Sequence, residues 1–213
     1  MKDTMMSIAK AMPSAEVFPE EWLEFYEEIL TKMEGRGKPP FRLLQMNGDG
    51  ALLRVLEARL PDTKIIAMSR TPKTTFGQQH PRVGLVEVTA ANTEKIGAAL
   101  QGYSFDLIID SNGLPLVYTL SIFRFLFRFN LMRNGYYVVE NFAAGTNVLG
   151  QFETMWPAPQ DASGTNLSLA YRMVAELAVC QRSAPATSSA RAVGNSTIRE
   201  LVVRENIFAV NKR

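Results

Sequence analysis

The chain has 213 residues, enough for one domain with a well-buried core. Its 46% hydrophobic and 21% charged residues are typical of a soluble globular protein. A net charge of +2 gives no basis for a nucleic-acid or membrane partner. The one cysteine, Cys180, cannot form an intramolecular disulfide, which suits a reducing compartment, and we expect a cytoplasmic protein.

No stretch of the sequence predicts a secretion signal or a membrane span. The amino-terminal segment MKDTMMSIAKAMPSA lacks a long apolar core. Residues 114–132 form the most apolar run, but Arg124 and Arg128 interrupt it. Each arginine costs about 2.5–3.5 kcal/mol near a bilayer centre. Because residues four apart share one helix face, we predict a helix that lies on a sheet with both arginines in water.

Apolar runs and helical periodicities alternate along most of the chain. A helix precedes the first strand and carries apolar side chains at Trp22, Phe25, Leu30 and Met33. Buried strands are predicted at 41–46, 64–69, 83–88, 105–110 and 136–141. The helices between them are predicted at 51–60, 92–101 and 114–134, the last ending at Asn134-Gly135. This order is typical of a parallel sheet covered by helices on both faces.

The carboxyl-terminal tail departs from this alternation. The polar segment 181–196 has the composition of a flexible loop, although a disordered stretch is equally compatible. Two β-rich runs, TIRELVVRE and NIFAVNKR, then meet at Glu205-Asn206 and predict an antiparallel hairpin. We expect one domain at 19–213, preceded by an N-terminal extension at 1–18 that is compatible with a mobile segment.

The segment LLQMNGDGALLRVLEARL joins the first strand to a helix through two glycines, Gly48 and Gly50. Asn-Gly and Asp-Gly pairs also favour hairpins, but the helical periodicity that follows argues against one here. Glycines let a ligand approach the backbone, and the start of a helix offers free N–H groups. The turn is equally compatible with a nucleotide-like ligand and with a plain strand–helix connection.

Four segments together carry a family resemblance: LLQMNGDGALLRVLEARLPDTKIIAMSR, YSFDLIIDSNGLP, LMRNGYYVVENF and TIRELVVRENIFAVNKR. Their succession resembles the class I S-adenosylmethionine-dependent methyltransferases, in particular the small-molecule O-methyltransferases that modify macrolide sugars and the cephalosporin-hydroxylase group. The resemblance covers about residues 20–213. It implies an α/β, Rossmann-like methyltransferase fold: a mostly parallel seven-stranded sheet, helices on both faces and a C-terminal antiparallel hairpin. A nicotinamide-binding Rossmann domain does not predict that hairpin.

The resemblance implies S-adenosylmethionine contacts at the ends of the first four strands. In this sequence the corresponding residues are Gln45, Asn47, Gly48, Gly50, Ser69, Arg70, Asn92 and Asp110. The family has acids where Gln45, Ser69 and Asn92 stand. An ionised carboxylate makes hydrogen bonds roughly twice as strong as those of a neutral acceptor. The neutral residues therefore imply an altered, weaker cofactor site.

The resemblance also implies metal and base positions, which this chain fills with other residues. The family's DDGSH reads DSNGL here, so Asp110 remains while Ser111 replaces a metal ligand and Leu114 replaces the general base. On the fifth strand, Glu140-Asn141 stands where the family has two metal-ligating acids. Because Mg²⁺ favours carboxylate oxygens, we do not expect a divalent metal at Ser111, Glu140 and Asn141. Asp110 and Glu140 are the candidate catalytic residues.

Three functions remain open on the sequence. The first is a methyltransferase acting on a small, natural-product-type acceptor, since methyl transfer needs mainly proximity and alignment. The second is a methyltransferase-fold protein that has lost methyl transfer and binds a partner or catalyses another reaction. The third is a nicotinamide-dependent oxidoreductase, for which only Arg70, suited to a 2′-phosphate, argues. We expect a small-molecule substrate and no nucleic-acid or membrane partner, and leave a homo-oligomer or partner protein open.

Overall fold

The computed structural model describes residues 4–12, 20–36, 40–46, 50–69, 83–87, 93–111, 116–140, 198–204 and 207–213, and all elements below lie in these ranges. The helices are α1 (Met5–Ala11), α2 (Glu20–Arg36), α3 (Gly50–Arg59), α4 (Thr93–Ala99) and α5 (Leu116–Phe129). The strands are β1 (Arg42–Met46), β2 (Lys64–Ser69), β3 (Val83–Glu87), β4 (Phe105–Asp110), β5 (Leu131–Glu140), β6 (Ile198–Arg204) and β7 (Ile207–Lys212).

These strands form one seven-stranded sheet in the order β3-β2-β1-β4-β5-β7-β6. The first five in that order pair in parallel, as strands joined by crossover connections do. Strand β7 pairs antiparallel with both β5 and β6, so the tail is a hairpin added to the sheet. The predicted α/β methyltransferase-like sheet with its C-terminal hairpin is confirmed. The predicted turn at Glu205-Asn206 lies outside the described residues.

The two faces of the sheet pack against different helices, because successive strand residues point to opposite faces. Leu43, Ile109 and Val138 lie in one core together with residues of α1, α2 and α3. We call this side the α2 face. Leu44 follows Leu43 in β1 and Ile108 precedes Ile109 in β4, so both point to the opposite face. They lie in a second core with residues of α4 and α5. We call that side the α5 face.

Helix α1 packs on the α2-face core through Met5, and Met6, Ile8 and Ala9 pack partly buried against the same core. Met5 is fully buried, and its N–H donates to Glu27 Oε2 at 2.7 Å. Thr4 and Ser7 form a reciprocal capping box that begins the helix. Residues 4–12 of the predicted extension therefore contribute to the α2-face core, while the predicted boundary at residue 18 lies outside the described residues.

The prediction that the long helix continues to Asn134-Gly135 is wrong. Helix α5 ends at Phe129, and β5 already begins at Leu131. Asn134 does adopt a left-handed backbone, with φ of 65°, but it does so inside an irregular stretch of β5. The Asn-Gly pair thus marks a bulge in a strand and not the end of a helix.

Contacts distant in sequence explain why α5 stops where it does. The side-chain amide of Asn130 donates to the carbonyl oxygens of Leu100 and Tyr103, at 3.3 and 3.0 Å. The Asn130 carbonyl accepts from the Phe105 N–H at 2.8 Å, which begins the β4–β5 pairing. Lys212 Nζ donates to carbonyl oxygens around the helix end, those of Phe127, Arg128 and Leu131.

The surface of α5 agrees with its predicted orientation. Arg124 and Arg128 are exposed, while Ile122 and Phe123 are buried in the α5-face core. In the portion of the chain that the structure describes, no helix combines the length and apolarity needed to cross a bilayer.

Candidate functional site

Parallel strands bring their carboxyl ends to one edge of the sheet, where open α/β sheets bind ligands. Strand β1 ends at Met46, β2 at Ser69, β4 at Asp110 and β5 at Glu140. Met46 pairs with Asp110, and its carbonyl oxygen accepts from the Ser111 N–H at 3.1 Å. We call this line of strand ends the carboxyl edge. Five of the predicted site residues lie on it: Gln45, Ser69, Asp110, Ser111 and Glu140.

The two candidate catalytic carboxylates point to opposite faces at this edge. Asp110 pairs with Val139, so Glu140 is the next residue along β5 and faces the other way. Asp110 contacts Tyr137, a member of the α5-face core. Glu140 contacts Tyr26 of α2, in the α2-face core. The structure therefore does not bring the two carboxylates into one pair.

On the α2 face, Glu140 joins three elements. It is only 5% exposed, and its Oε1 accepts a hydrogen bond from the Tyr26 hydroxyl. Its Oε2 accepts from the Ser111 hydroxyl. Helix α2 and the ends of β4 and β5 are thus connected through both oxygens of one buried carboxylate.

On the α5 face, Asp110 is a fully buried carboxylate with a phenol partner. The Tyr137 hydroxyl donates to Asp110 Oδ2 at 2.9 Å, and both residues are inaccessible to solvent. Burial raises the pKa of Tyr137 well above its usual value, and the neighbouring Asp110 carboxylate raises it further. The phenol therefore remains protonated, and it holds Asp110 in place as a hydrogen-bond donor.

Gln45 presents a different feature, a buried acceptor without a donor. It is 2% exposed, and its side-chain oxygen Oε1 has no hydrogen-bond partner within the described part of the chain. Leaving a buried polar atom unsatisfied costs about 1–3 kcal/mol, so such atoms are rare in folded proteins. Gln45 stands two residues after Leu43 and therefore faces the same side of the sheet as Ser111 and Glu140.

Two further predicted contacts, Ser69 and Gly50, lie within the described residues. Ser69 ends β2 next to β1, and Gly50 begins α3 directly after the turn. The other predicted site residues lie outside the described residues; these are Asn47, Gly48, Arg70, Asn92 and Asn141, together with Leu114. Cys180 and the predicted loop 181–196 also lie outside them.

The described residues of the carboxyl edge do not fit a divalent metal. Over the described ranges, no three His, Cys, Asp or Glu side chains lie close enough to hold an ion. Glu140 has a hydroxyl group on each oxygen, and Asp110 points to the opposite face. Mg²⁺ requires near-octahedral oxygen coordination and retains several bound waters. A single buried carboxylate provides too few oxygen ligands and is poorly accessible to a hydrated ion.

Sequence reasoning did not predict the contacts of Tyr26 and Tyr137 with the edge carboxylates. Tyr26 lies in a helix with an apolar face, and Tyr137 lies in an apolar strand. A buried phenol normally finds a hydrogen-bond partner, and acids ended two neighbouring strands. These two facts indicate that buried tyrosines bind the strand-end acids, but they do not indicate which tyrosine binds which acid.

Solved structures share this fold at low sequence identity. The methyltransferase MycE from the mycinamycin biosynthetic pathway, in complex with Mg and SAH, superimposes with a TM-score of 0.69 at 20% identity. The match covers 100% of this chain and 55% of MycE, so the chain spans little more than half the length of that protein. No protein-family model and no curated protein matches the sequence.

Two further structures match over most of both chains. Cofactor-bound Rv0187 from MTB has a TM-score of 0.53 and 15% identity, covering 98% of this chain and 87% of its own. The SAH-bound methyltransferase PaMTH1 of Podospora anserina has a TM-score of 0.50 and 18% identity, covering 98% and 86%. With the strand order and the terminal hairpin, these likenesses show that the chain has the fold of the class I S-adenosylmethionine-dependent methyltransferases.

Proposed function

We propose that the chain binds S-adenosylmethionine at its carboxyl edge and transfers the methyl group to a small, natural-product-type acceptor. The fold supports this proposal, and MycE and PaMTH1 are methyltransferases whose structures contain SAH. MycE alone supports the natural-product acceptor, because its structure with mycinamycin VI places it in such a pathway.

The unpartnered oxygen of Gln45 is the observation that carries the proposal. Gln45 lies in β1, between β2 and β4 at the centre of the parallel strands, one residue before the carboxyl end of β1. A buried acceptor there fits a ligand that brings an N–H or O–H donor. The ligand's hydrogen bond would offset the cost of burying Oε1. A neutral amide binds such a donor without adding a negative charge.

In this proposal Glu140 and Asp110 are positioning residues. S-adenosylmethionine supplies an electrophilic methyl group. Glu140 fixes Tyr26 and helix α2 against the edge, and Asp110 fixes Tyr137 below it. An acceptor that is already nucleophilic then needs mainly proximity and in-line alignment, which a rigid edge supplies.

A second candidate is a protein that retains the fold and binds its ligand without transferring a methyl group. The observation in its favour is that hydroxyl groups already occupy both candidate catalytic carboxylates. Binding without turnover of any acceptor would support this candidate, whereas methylated product would support the first.

Calorimetric titration with S-adenosylmethionine and SAH tests cofactor binding, with Gln45→Met as the informative variant. Methionine has a similar volume and lacks the amide acceptor. We expect the variant to bind about 3–10-fold more weakly, since one hydrogen bond is lost. Its ligand-free melting temperature should stay the same or rise, because an unsatisfied buried acceptor has been removed.

Gln101→Met is the matched control, because Gln101 is exposed in the turn that precedes β4, at the opposite edge of the sheet. It should bind like the wild type. No binding of either ligand by folded wild-type protein would contradict the proposal. Unchanged affinity in Gln45→Met would remove Gln45 from the site.

A further inference from the structure

We infer that Tyr26, Glu140 and Ser111 form a hydrogen-bonded clasp in place of a divalent cation, and that this edge takes no such cation. The inference deepens the proposed function and rests on it for one point, that the clasp lies beside a bound cofactor. The clasp itself stands on contacts that are independent of any ligand. MycE, which shares the fold, was crystallised with Mg.

The clasp joins three elements at the carboxyl edge. Tyr26 comes from α2, Ser111 directly follows β4, and Glu140 ends β5. Each hydroxyl donates to a different oxygen of the same carboxylate. Hydrogen bonds to an ionised acceptor are about twice as strong as neutral ones, so two of them hold the three elements firmly.

Charge and burial both argue against a cation at this place. Of the two carboxylates that end β4 and β5, Glu140 alone lies on the α2 face. Asp110 points to the α5 face, and Tyr137 occupies its Oδ2. Mg²⁺ dehydrates reluctantly and usually retains several waters. A carboxylate that is 5% exposed, with a hydroxyl on each oxygen, offers little access for a hydrated ion.

Manganese titration followed by electron paramagnetic resonance tests the cation part, with Mn²⁺ as the probe and no cofactor present. Wild type, Glu140→Gln and Asp62→Asn should all leave the Mn²⁺ signal unbound at sub-millimolar concentrations. Asp62 lies in the exposed turn before β2, at the opposite edge, and controls for the loss of one carboxylate. One tightly bound Mn²⁺ in wild type and Asp62→Asn, lost in Glu140→Gln, would overturn the inference.

Thermal unfolding tests the clasp itself. Tyr26→Phe and Ser111→Ala each remove one donor from a buried carboxylate, and each should lower the melting temperature by roughly 2–6 °C. Tyr103→Phe is the matched control because Tyr103 is exposed, and it should leave the melting temperature unchanged. Tyr26→Phe should cost less in a Glu140→Gln background, since the two residues are coupled.

Equal melting temperatures for Tyr26→Phe and Tyr103→Phe, or additive losses in the double variant, would overturn the clasp. These readouts need neither cofactor nor acceptor. A failure of cofactor binding is therefore distinguishable from a failure of the clasp.

Discussion

Replacing Arg59 by methionine is expected to lower the free energy of unfolding by about 3 kcal/mol, because it breaks a buried ionic cluster. The Arg59 side chain is 3% exposed and lies between α2 and α3. Its guanidinium nitrogens lie 2.7 Å from Glu27 Oε1 and 3.0 Å from Glu34 Oε1. Both carboxylates are partly solvated, so the expected loss of stability lies at the lower end of the range for broken buried ion pairs.

The same cluster makes stability sensitive to acid. Burial alone would raise the pKa of Glu27, but hydrogen bonds from Arg59 and the Met5 N–H outweigh burial and lower it. A carboxyl with a lowered folded-state pKa stabilises the fold above its unfolded-state pKa. That contribution is lost as the pH falls through the folded-state value. The acid-side loss of stability should therefore be smaller in Arg59→Met than in wild type.

Urea unfolding at neutral pH and near pH 4 measures both effects. Lys10→Met is the matched control, because the Lys10–Glu20 pair is 3.3 Å long and 67% exposed on both sides. Exposed pairs contribute little, so this control should unfold like the wild type. Equal unfolding midpoints for the Arg59 and Lys10 variants would contradict the assigned role of the cluster.

Replacing Gly135 by alanine is the second change with a large expected effect, a loss of about 3 kcal/mol from overpacking. A Cβ atom on Gly135 would lie 2.8 Å from the Asp106 carbonyl oxygen and 3.0 Å from that of Met132. Both neighbours are backbone atoms in the irregular stretch where β5 pairs with β4. They cannot rotate away as a flexible side chain can, so the strand pairing itself would have to shift.

Gly84→Ala provides the comparison for this variant. A Cβ on Gly84 in β3 would meet Ile66 Cγ1 at 3.8 Å, an ordinary van der Waals contact. We expect Gly84→Ala to unfold close to the wild-type midpoint in the same urea series. A Gly135→Ala protein as stable as Gly84→Ala would show that the β4–β5 junction tolerates a side chain.

Local pattern was sufficient for most of the fold. Strands β2 and β4 begin and end at the predicted residues, because short apolar runs bounded by turn residues define buried strands. The end of α5 was not predictable in this way. Leu131 and Met132 continue the apolar run beyond Phe129, and the helix stops because Asn130 bonds to the α4–β4 turn, about 30 residues earlier in the chain. Periodicity contains no information about such contacts.

The candidate site was predictable in position but not in its contacts. Family resemblance placed Gln45, Asp110, Ser111 and Glu140 at strand ends, and the sheet places them at one edge. The partner of Glu140 is Tyr26, 114 residues away in sequence, and only the packing of α2 on the sheet selects it. The opposite orientation of the two carboxylates likewise follows from the β4–β5 register.

A crystal structure of the protein with SAH tests the central claim most directly. We expect the ligand to lie across the carboxyl edge above β1 and β4, with a donor atom about 3 Å from Gln45 Oε1. The Tyr26–Glu140–Ser111 clasp should remain closed beside it. SAH bound elsewhere, or bound at the edge while Gln45 Oε1 stays without a donor, would contradict this account of the site.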